Sequence, residues 1–437
     1  MGPPLPLKPQ EAAARRVKTA LGSWVVLRFS KARQTYGNAY WFRTFTGQTK
    51  RLLVDNFLFY LAIATLLFWA AFGIDLAFGN RSTRFLKDLP LPTEAPSHRV
   101  SIIIPARNEE RNIEEALQSI LGQDYGNLEI IVVNDRSTDR TGAILDRMAR
   151  SHPRLRLVHV RELPAGWLGK NYALYYGAQK ASGDLLLFTD ADVVMQPSTV
   201  SRAVGYMVER QLDHLAIAPE VRMPGVLLQL FVGAFGIFFS LYARPWKAKD
   251  PKSKWYIGIG AFNLVRRKIY RGVGTHRAIA MRPDDDIKLG KLIKRNGYRQ
   301  EFLFGTEMMH VEWYASVGEL IDGLMKNAFA GVDYRVSAIV GASIAQFLLN
   351  VWPFLGVFLT HGVARAINVV VVLAIIALCS QAARFLNVMR WYGIGFPIAT
   401  LLFIYIMWRA MLIAIFNGGV TWRGTHYSLA ELKANKV

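Results

Sequence analysis

The sequence predicts an α/β domain built on a mostly parallel sheet, with membrane helices flanking it: one on the N-terminal side and about three on the C-terminal side. Three observations predict this. Short apolar runs alternate with helical patterns of ten or so residues between positions 100 and 189, which implies right-handed crossovers between parallel strands. Long apolar stretches stand on either side of that region, in a chain of 437 residues that is 52% hydrophobic. Finally, the run Asp184-Leu-Leu-Leu-Phe-Thr-Asp190-Ala-Asp192 sets four apolar residues between a glycine turn and two carboxylates. That is the pattern of a buried parallel strand delivering acids to its carboxyl end, where open α/β sheets bind ligands.

Residues 1–55 read as a basic aromatic arm. Residues 1–51 carry ten Lys or Arg against the single acid Glu11, interleaved with Trp24, Phe29, Tyr36, Tyr40, Trp41, Phe42 and Phe45. Such a segment suits the interface of an anionic leaflet, or else a solvated tail. Residues 56–79 are long enough to cross a hydrocarbon core and have no small-residue cleavage site behind them, so they read as a retained membrane helix. A polar, proline-containing linker follows to residue 97.

The domain itself is expected over 98–335. Strands are expected at 100–105, 128–135, 155–160 and 184–189, with helices near 109–121, 138–150 and 171–181. Residues 226–243 are nearly long enough to span. A crossing there would separate the acids at 190–192 from those at 284–286, so 226–255 is read as interfacial, with Trp246, Lys247, Lys249, Lys252, Lys254 and Trp255 as its basic aromatic end. Apolar stretches at 337–359, 366–382 and 393–416 make a C-terminal membrane region, 336–418, followed by a basic tail, 419–437. Cys379, the only cysteine, excludes an intrachain disulfide and a thiolate zinc site.

The formal net charge of +21 points to nucleic acid, anionic lipid or phosphorylated substrates. Apolar spans accompany it and no nucleic-acid motif does, which puts lipid and phosphate first. Asp190 and Asp192 suit Mg²⁺ or Mn²⁺, hard cations that take one or two carboxylates plus substrate phosphates. Asp135 and Glu109 follow strand ends and could accept hydrogen bonds from a nucleobase or ribose, or simply cap helices. No dinucleotide or P-loop glycine pattern follows any of these strands. Lys170, after Gly166 and Gly169, reads as a diphosphate partner near a helix N-terminus or as a solvated loop lysine. Of Asp284, Asp285 and Asp286, at least one is expected to have a raised pKa suited to a general base; an acidic first helical turn is the alternative.

Together PARNEE, VVNDRSTD, GWLGKNYAL, FTDADV, GIGAFNLVRR, DDDIKLG and KNAFAG resemble the membrane-bound branch of glycosyltransferase family 2. The resemblance covers about residues 98–335. It is strongest to bacterial lipid-directed members associated with hopanoid and glycosylated-carotenoid synthesis, and weaker to ceramide glucosyltransferases. It implies a GT-A nucleotide-sugar-binding domain, with Asp135 holding the donor base or ribose among Pro105, Ala106 and Glu109. Asp190 and Asp192 would be the DxD-type pair, with Asp192 the direct metal ligand. The spacing to Leu289 in the family's acidic-Asp-x-x-Leu motif makes Asp286 the base, with Asp285 before it. Gly260, Ala261, Phe262, Arg266 and Arg267 would shape the pocket, and Trp246, Trp255, Trp313 and Tyr314 would face the acceptor. The Gln-x-x-Arg-Trp motif of processive members is not evident after Asp286; His310-Val-Glu-Trp-Tyr stands there, and Arg390-Trp391 is a partial match. Transfer of one sugar is therefore expected.

The implied enzyme is a multi-pass cell-membrane glycosyltransferase with a cytoplasmic domain, a nucleoside-diphosphate sugar donor and a lipid acceptor in the bilayer. Its rivals are transfer to a polyprenyl phosphate and a non-catalytic nucleotide-sugar-binding protein. His310 is a possible third metal ligand or a structural histidine. One topological tension remains: the basic arm and the domain both suit the cytoplasm, yet a single span separates them.

Overall fold

The computed structural model describes residues 39–93, 98–435 and 437, with side chains from residue 51 onward. Trp24, Phe29 and Tyr36 of the basic arm, and the side chains of Tyr40, Trp41, Phe42 and Phe45, lie outside the described residues. The chain divides into two units, Met1–Leu61 and Ala62–Val437. Helix α1, Ala39–Ser82, supplies the described part of the first and continues into the second.

The sheet begins with β1, Val100–Ala106, then α2, Ile113–Leu121, and β2, Leu128–Asp135. It continues through α3, Thr141–Ser151, β3, Leu155–Val160, α4, Gly169–Lys180, and β4, Leu185–Phe188. Ile102, Ile103, Ile104, Ile131, Val132 and Val133 are sealed from solvent; a strand covered on both faces reads as an unbroken apolar run. Helix α2 buries Ile113, Ala116, Leu117 and Ile120, the stripe that helical periodicity requires. Gly177 lets α4 lie directly on the sheet, since a Cβ there would come within 2.6 Å of Ile103.

After β5, Val193–Met195, and α5, Thr199–Glu209, come β6, His214–Ala218, β7, Glu220–Arg222, and α6, Val226–Ala243. Then follow β8, Asn263–Arg266, α7, Arg267–Gly272, α8, Asp285–Arg295, β9, Gln300–Phe304, β10, Met309–Glu312, and α9, Val317–Ala330. The main sheet has seven strands in the order β3-β2-β1-β4-β8-β6-β9. The four strands expected from the sequence run parallel, whereas β8 is antiparallel to both β4 and β6. A smaller sheet, β5-β10-β7, adjoins the carboxylate region.

The remaining elements are α10, Val336–Gln346, a π-helical turn at Phe347–Val351, α11, Trp352–Leu359, α12, Gly362–Leu386, and α13, Phe396–Phe416. A hairpin of β11, Gly419–Trp422, and β12, Thr425–Ser428, leads into the short helix α14, Leu429–Ala434. Among the described residues, five helical stretches are long and apolar enough to cross a membrane: Arg51–Ser82, Val226–Lys247, Val336–Leu359, Gly362–Leu386 and Tyr392–Phe416. Trp69, Phe72 and Leu76 of α1 pack with Leu230, Ala234 and Phe238 of α6 and with Val371, Ile375 and Phe396 in one apolar cluster. Asp75 of α1 meets Lys247 at 2.9 Å and Arg244 at 3.3 Å.

Length and composition alone count α6 among the spans. Its flanks bear on its path. Strands β6 and β8, between which it lies in the chain, are hydrogen-bonded neighbours, and Ala248, just past it, is buried with Ala216, Ile257 and Phe302 of the domain.

Candidate active site

Beyond β4 the chain carries Thr189 and Asp190 out at the carboxyl end of the parallel strands. Thr189 is fixed there because its hydroxyl donates to the Ala261 carbonyl at 2.7 Å. Asp190 accepts from Lys170 Nζ at 2.7 Å, and the same ammonium lies 3.8 Å from Asp285. Lys170 stands in the first turn of α4 and Asp285 in the first turn of α8, so two helix starts and one strand end converge. Asp286 Oδ2 accepts the Gly260 N–H at 2.7 Å, and its Oδ1 accepts the Ile287 N–H at 2.8 Å. Gly260 separates the two acids: a Cβ there would stand 2.8 Å from Asp190 Oδ2, 3.4 Å from Lys170 Nζ and 3.5 Å from Asp286 Oδ2. Lys170, Asp190, Gly260, Asp285 and Asp286 line a small pocket of about 10 Å³.

The charges divide into two groups. Burial opposes charging Lys170, but Asp190, Asp285 and Asp286 outweigh it and raise its pKa. Burial likewise works against ionised Asp190, and Lys170 overrides it and holds the pKa down. Asp192 is pushed up to about 7, by burial first and then by the charges of Asp190 and Glu109. Burial also lifts Asp285 to about 7 and raises Asp286, in both cases against the pull of Lys170. A carboxylate that takes up a proton near neutrality is suited to general-base work.

Asp192 Oδ1 is buried and accepts no hydrogen bond. An orphaned carboxylate oxygen beside a second carboxylate fits a hard divalent cation. Among the described residues no three His, Cys, Asp or Glu side chains form a protein cage for a metal; an ion shared with substrate phosphates does not require one.

At the end of β2, Asp135 is buried and accepts from Arg136 Nε at 2.7 Å and Nη2 at 3.2 Å, with Arg107 Nη1 at 3.6 Å. Pro105 and Ala106 close the neighbouring strand, opposite Val133 and Asn134. Gly169 has to be glycine, because a Cβ would collide with the Asp135 carboxylate. Glu109 is bonded by Arg423, and burial still raises its pKa.

The family model described as glycosyl transferase family 2 matches residues 101–274, the stretch that carries Asp135, Lys170, Asp190, Asp192 and Gly260. Residues 101–274 form a glycosyl transferase family 2 domain. Among curated relatives, the 4,4'-diaponeurosporenoate glycosyltransferase of Staphylococcus aureus is 24% identical over 349 residues, covering 76% of this chain and 89% of that protein. Among solved structures, a mannosyltransferase from Pyrobaculum calidifontis in complex with GDP-Man and Mn²⁺ is 21% identical, with a TM-score of 0.47, covering 82% of this chain and 99% of that one. Residues 1–349 of TarS from S. aureus, in complex with UDP-GlcNAc, are 18% identical, with a TM-score of 0.35, covering 76% and 96%. The chain is a glycosyltransferase with a mostly parallel central sheet and apolar helices flanking its catalytic domain.

In this glycosyltransferase several residues expected near the pocket lie elsewhere. Arg266 pairs in register with Leu185, and Arg267 donates to the Ala181 carbonyl. Because β8 runs antiparallel to β4, only its first residue, Asn263, comes beside Phe188, and the two arginines end at the opposite edge of the sheet. Phe262 is wholly buried in the core, and Trp246 packs against Gly79 among the apolar helices, so neither presents a face to an acceptor. Trp255 lies beneath Arg244 and Lys254, at 5.1 and 5.7 Å. Asp284 is occupied by Arg282 at 2.8 Å and Lys288 at 3.6 Å. His310 lies in β10 opposite Val194 and Glu220. Tyr314 is close enough that its pKa rises to about 12, through burial and then the charge of Asp192, while Trp313 meets Phe235 edge-on at 5.3 Å.

Sequence reasoning missed Lys326, Trp422, Arg423 and Tyr427. Lys326 Nζ stands 4.1 Å above the Trp422 ring. Burial, then Lys170 and Arg423, lower its pKa to about 8. The Tyr427 hydroxyl accepts the Gly169 N–H at 3.3 Å. A lysine in the KNAFAG run and the Trp-Arg-Gly turn after the last apolar stretch were the available signals.

Proposed function

We propose that the glycosyltransferase moves one sugar, with inversion, from a nucleoside-diphosphate sugar, a UDP-sugar being favoured, to the hydroxyl of a lipid held in the bilayer. The observation that carries this reading is the meeting of Asp190 and Asp286 across Gly260, which sets a leaving-group carboxylate and a base a glycine apart. Asp135 takes the nucleoside, with Pro105, Ala106 and Glu109 around it. Asp192 and Asp190 would hold a Mg²⁺ or Mn²⁺ ion, which would neutralise charge on the diphosphate. The acceptor hydroxyl gives its proton to Asp286 and its oxygen bonds to the anomeric carbon. The bond from that carbon to the β-phosphate oxygen breaks, with its electron pair leaving on the nucleoside diphosphate. The Gly260 N–H orients Asp286, and Asp285 together with Lys170 keeps the neighbouring charge balanced.

The relative named as a 4,4'-diaponeurosporenoate glycosyltransferase supports a carotenoid-type acceptor. Transfer to a polyprenyl phosphate is weaker, because Lys247 is taken by Asp75 and Lys249 by the Ser82 carbonyl. In this reading the protein is a multi-pass cell-membrane enzyme with its domain on the cytoplasmic face, and 226–255 lies at the interface.

The test supplies purified enzyme with UDP- and GDP-sugars, Mn²⁺ and host lipid extract, and reads products by mass spectrometry. A glycolipid is expected. Asp286→Asn should lose roughly 10²- to 10⁴-fold in turnover while keeping donor affinity, and Asp192→Ala should lose metal-dependent donor binding. Full turnover by Asp286→Asn would overturn the hydroxyl acceptor and point to one that is already an anion, a phosphate or a carboxylate, which needs no base.

A further inference from the structure

After α13 the chain turns back onto the catalytic domain. Arg423, at the hairpin turn, donates to the Glu109 carboxylate, and its own carbonyl accepts from Arg107 at 2.5 Å. Tyr427 reaches the Gly169 N–H at the start of α4. Beyond it, Asn435 accepts the Met281 N–H at 3.0 Å and donates to the Ala278 carbonyl at 3.1 Å. These contacts fall on the end of β1, the first turn of α4 and the loop leading to Asp285. The hairpin therefore forms one wall of the carboxylate site.

That wall is cationic. Lys170 has carboxylate partners at 2.7 and 3.8 Å. Lys326 has no carboxylate within salt-bridge distance among the described residues; it rests instead on the Trp422 ring, and the charges of Lys170 and Arg423 both act on it. Arg423 meets Glu109 through one nitrogen of its fork. The site also holds Asp190, Asp192 and Asp285, but Lys326 pairs with none of them and Arg423 makes a single carboxylate contact; both can take an anion supplied from outside, and a planar fork matches phosphate oxygens better than a single carboxylate contact does.

We propose that Arg423 and Lys326 bind the diphosphate of the donor, so that the hairpin after the last apolar helix is a working part of the active site. The proposal rests on the nucleotide-sugar reading above. Arg423 is parked on Glu109 without donor and transfers to the diphosphate when donor enters. Trp422 holds Lys326 at its post. Both cations then stabilise the negative charge that grows on the β-phosphate as the sugar leaves.

The experiment measures affinities of the full-length detergent-purified enzyme for uridine, UMP and UDP, and for guanosine, GMP and GDP, with Mn²⁺ and with EDTA. In the nucleoside series that the wild type binds, Arg423→Ala and Lys326→Ala are each expected to weaken the diphosphate roughly 10- to 100-fold, with nucleoside affinity unchanged. The loss persists in EDTA because it belongs to the chain's own cations, and Arg423→Lys recovers part of it. Equal weakening of nucleoside and diphosphate would make the hairpin a structural wall and overturn the proposal, as would undiminished diphosphate binding in both alanine variants. A wild type that binds neither series overturns the donor reading itself, and this proposal with it.

Discussion

Gly260 shows how tightly single residues are specified here. Its N–H holds Asp286, and its missing side chain leaves Asp190 and Asp286 on either side of a small pocket. Gly260→Ala would insert a methyl 2.8 Å from Asp190 Oδ2, and neither Asp190, tied to Lys170, nor Asp286, tied to the backbone, is free to swing away. Turnover is expected to fall by roughly 10²-fold, the scale of an ångström's misplacement of reacting groups, with thermal stability lowered by about 1–3 kcal/mol, as overpacking a buried site does. Steady-state kinetics beside a melting curve checks it; wild-type turnover would mean that the two acids do not work across this glycine. The acids themselves were legible in the sequence, because strand-end and helix-start carboxylates are set by local pattern. Arg266 and Arg267 were misplaced because their position depends on the direction of β8, which a short apolar run does not encode. Lys326 and Arg423 were illegible as a pair, since nothing local joins positions nearly a hundred residues apart.

At the scale of elements, the four parallel strands were readable as continuous apolar runs, and the second half of the sheet was not. β6 shows why: it places His214, a titratable residue, wholly inside the sheet, where it bonds the Asn263 side chain on the neighbouring β8. Burial lowers the His214 pKa to about 4, against the Asn263 bond that raises it, from the ordinary 6.5. Below the ordinary value the unfolded chain takes up a proton that the folded sheet refuses, so stability falls as the pH drops from about 6.5 toward 4. At pH 5 this histidine costs about 2 kcal/mol. His214→Gln cannot take up that proton, so its stability relative to wild type is expected to improve by about this amount between pH 7.5 and 5. Denaturation of both proteins at the two pH values checks it, and parallel pH dependences would mean that His214 is charged in the fold. The hairpin was the other illegible element. Its turn places Arg423 at φ 46° and Gly424 at φ 78°, the left-handed pair that a tight two-residue connection needs, but the usual sequence signal for it is Asn-Gly.

Across the whole chain, the hairpin decides how the apolar helices between residues 335 and 418 can be threaded. Lys326 on α9 and Arg423 after α13 both lie at the carboxylate site, so if the helices between them cross a bilayer, they are expected to do so an even number of times. Three helical stretches of spanning length occupy that interval, and one of them is therefore expected to stay on the domain's side. The Phe385 carbonyl near the end of α12 accepts the hydroxyl of Thr306 at 2.7 Å, which brings α12 back to the domain. The stretch 336–359 thus departs and α12 returns, with only Thr360 and His361 between them. The exposed apolar side chains of Phe358, Leu359 and Val363 mark the far tip of this pair. Helix α13 is then the one expected to begin and end on the near side, since it packs along α6, which lies in the chain between the paired strands β6 and β8. In a Cys379→Ser background, His361→Cys is expected to react with an impermeant maleimide from the face opposite to Lys252→Cys and Thr421→Cys, which should share a face. Lys252→Cys and Thr421→Cys reacting from opposite faces would instead require an odd number of crossings, and would detach the hairpin from the site that its arginine completes.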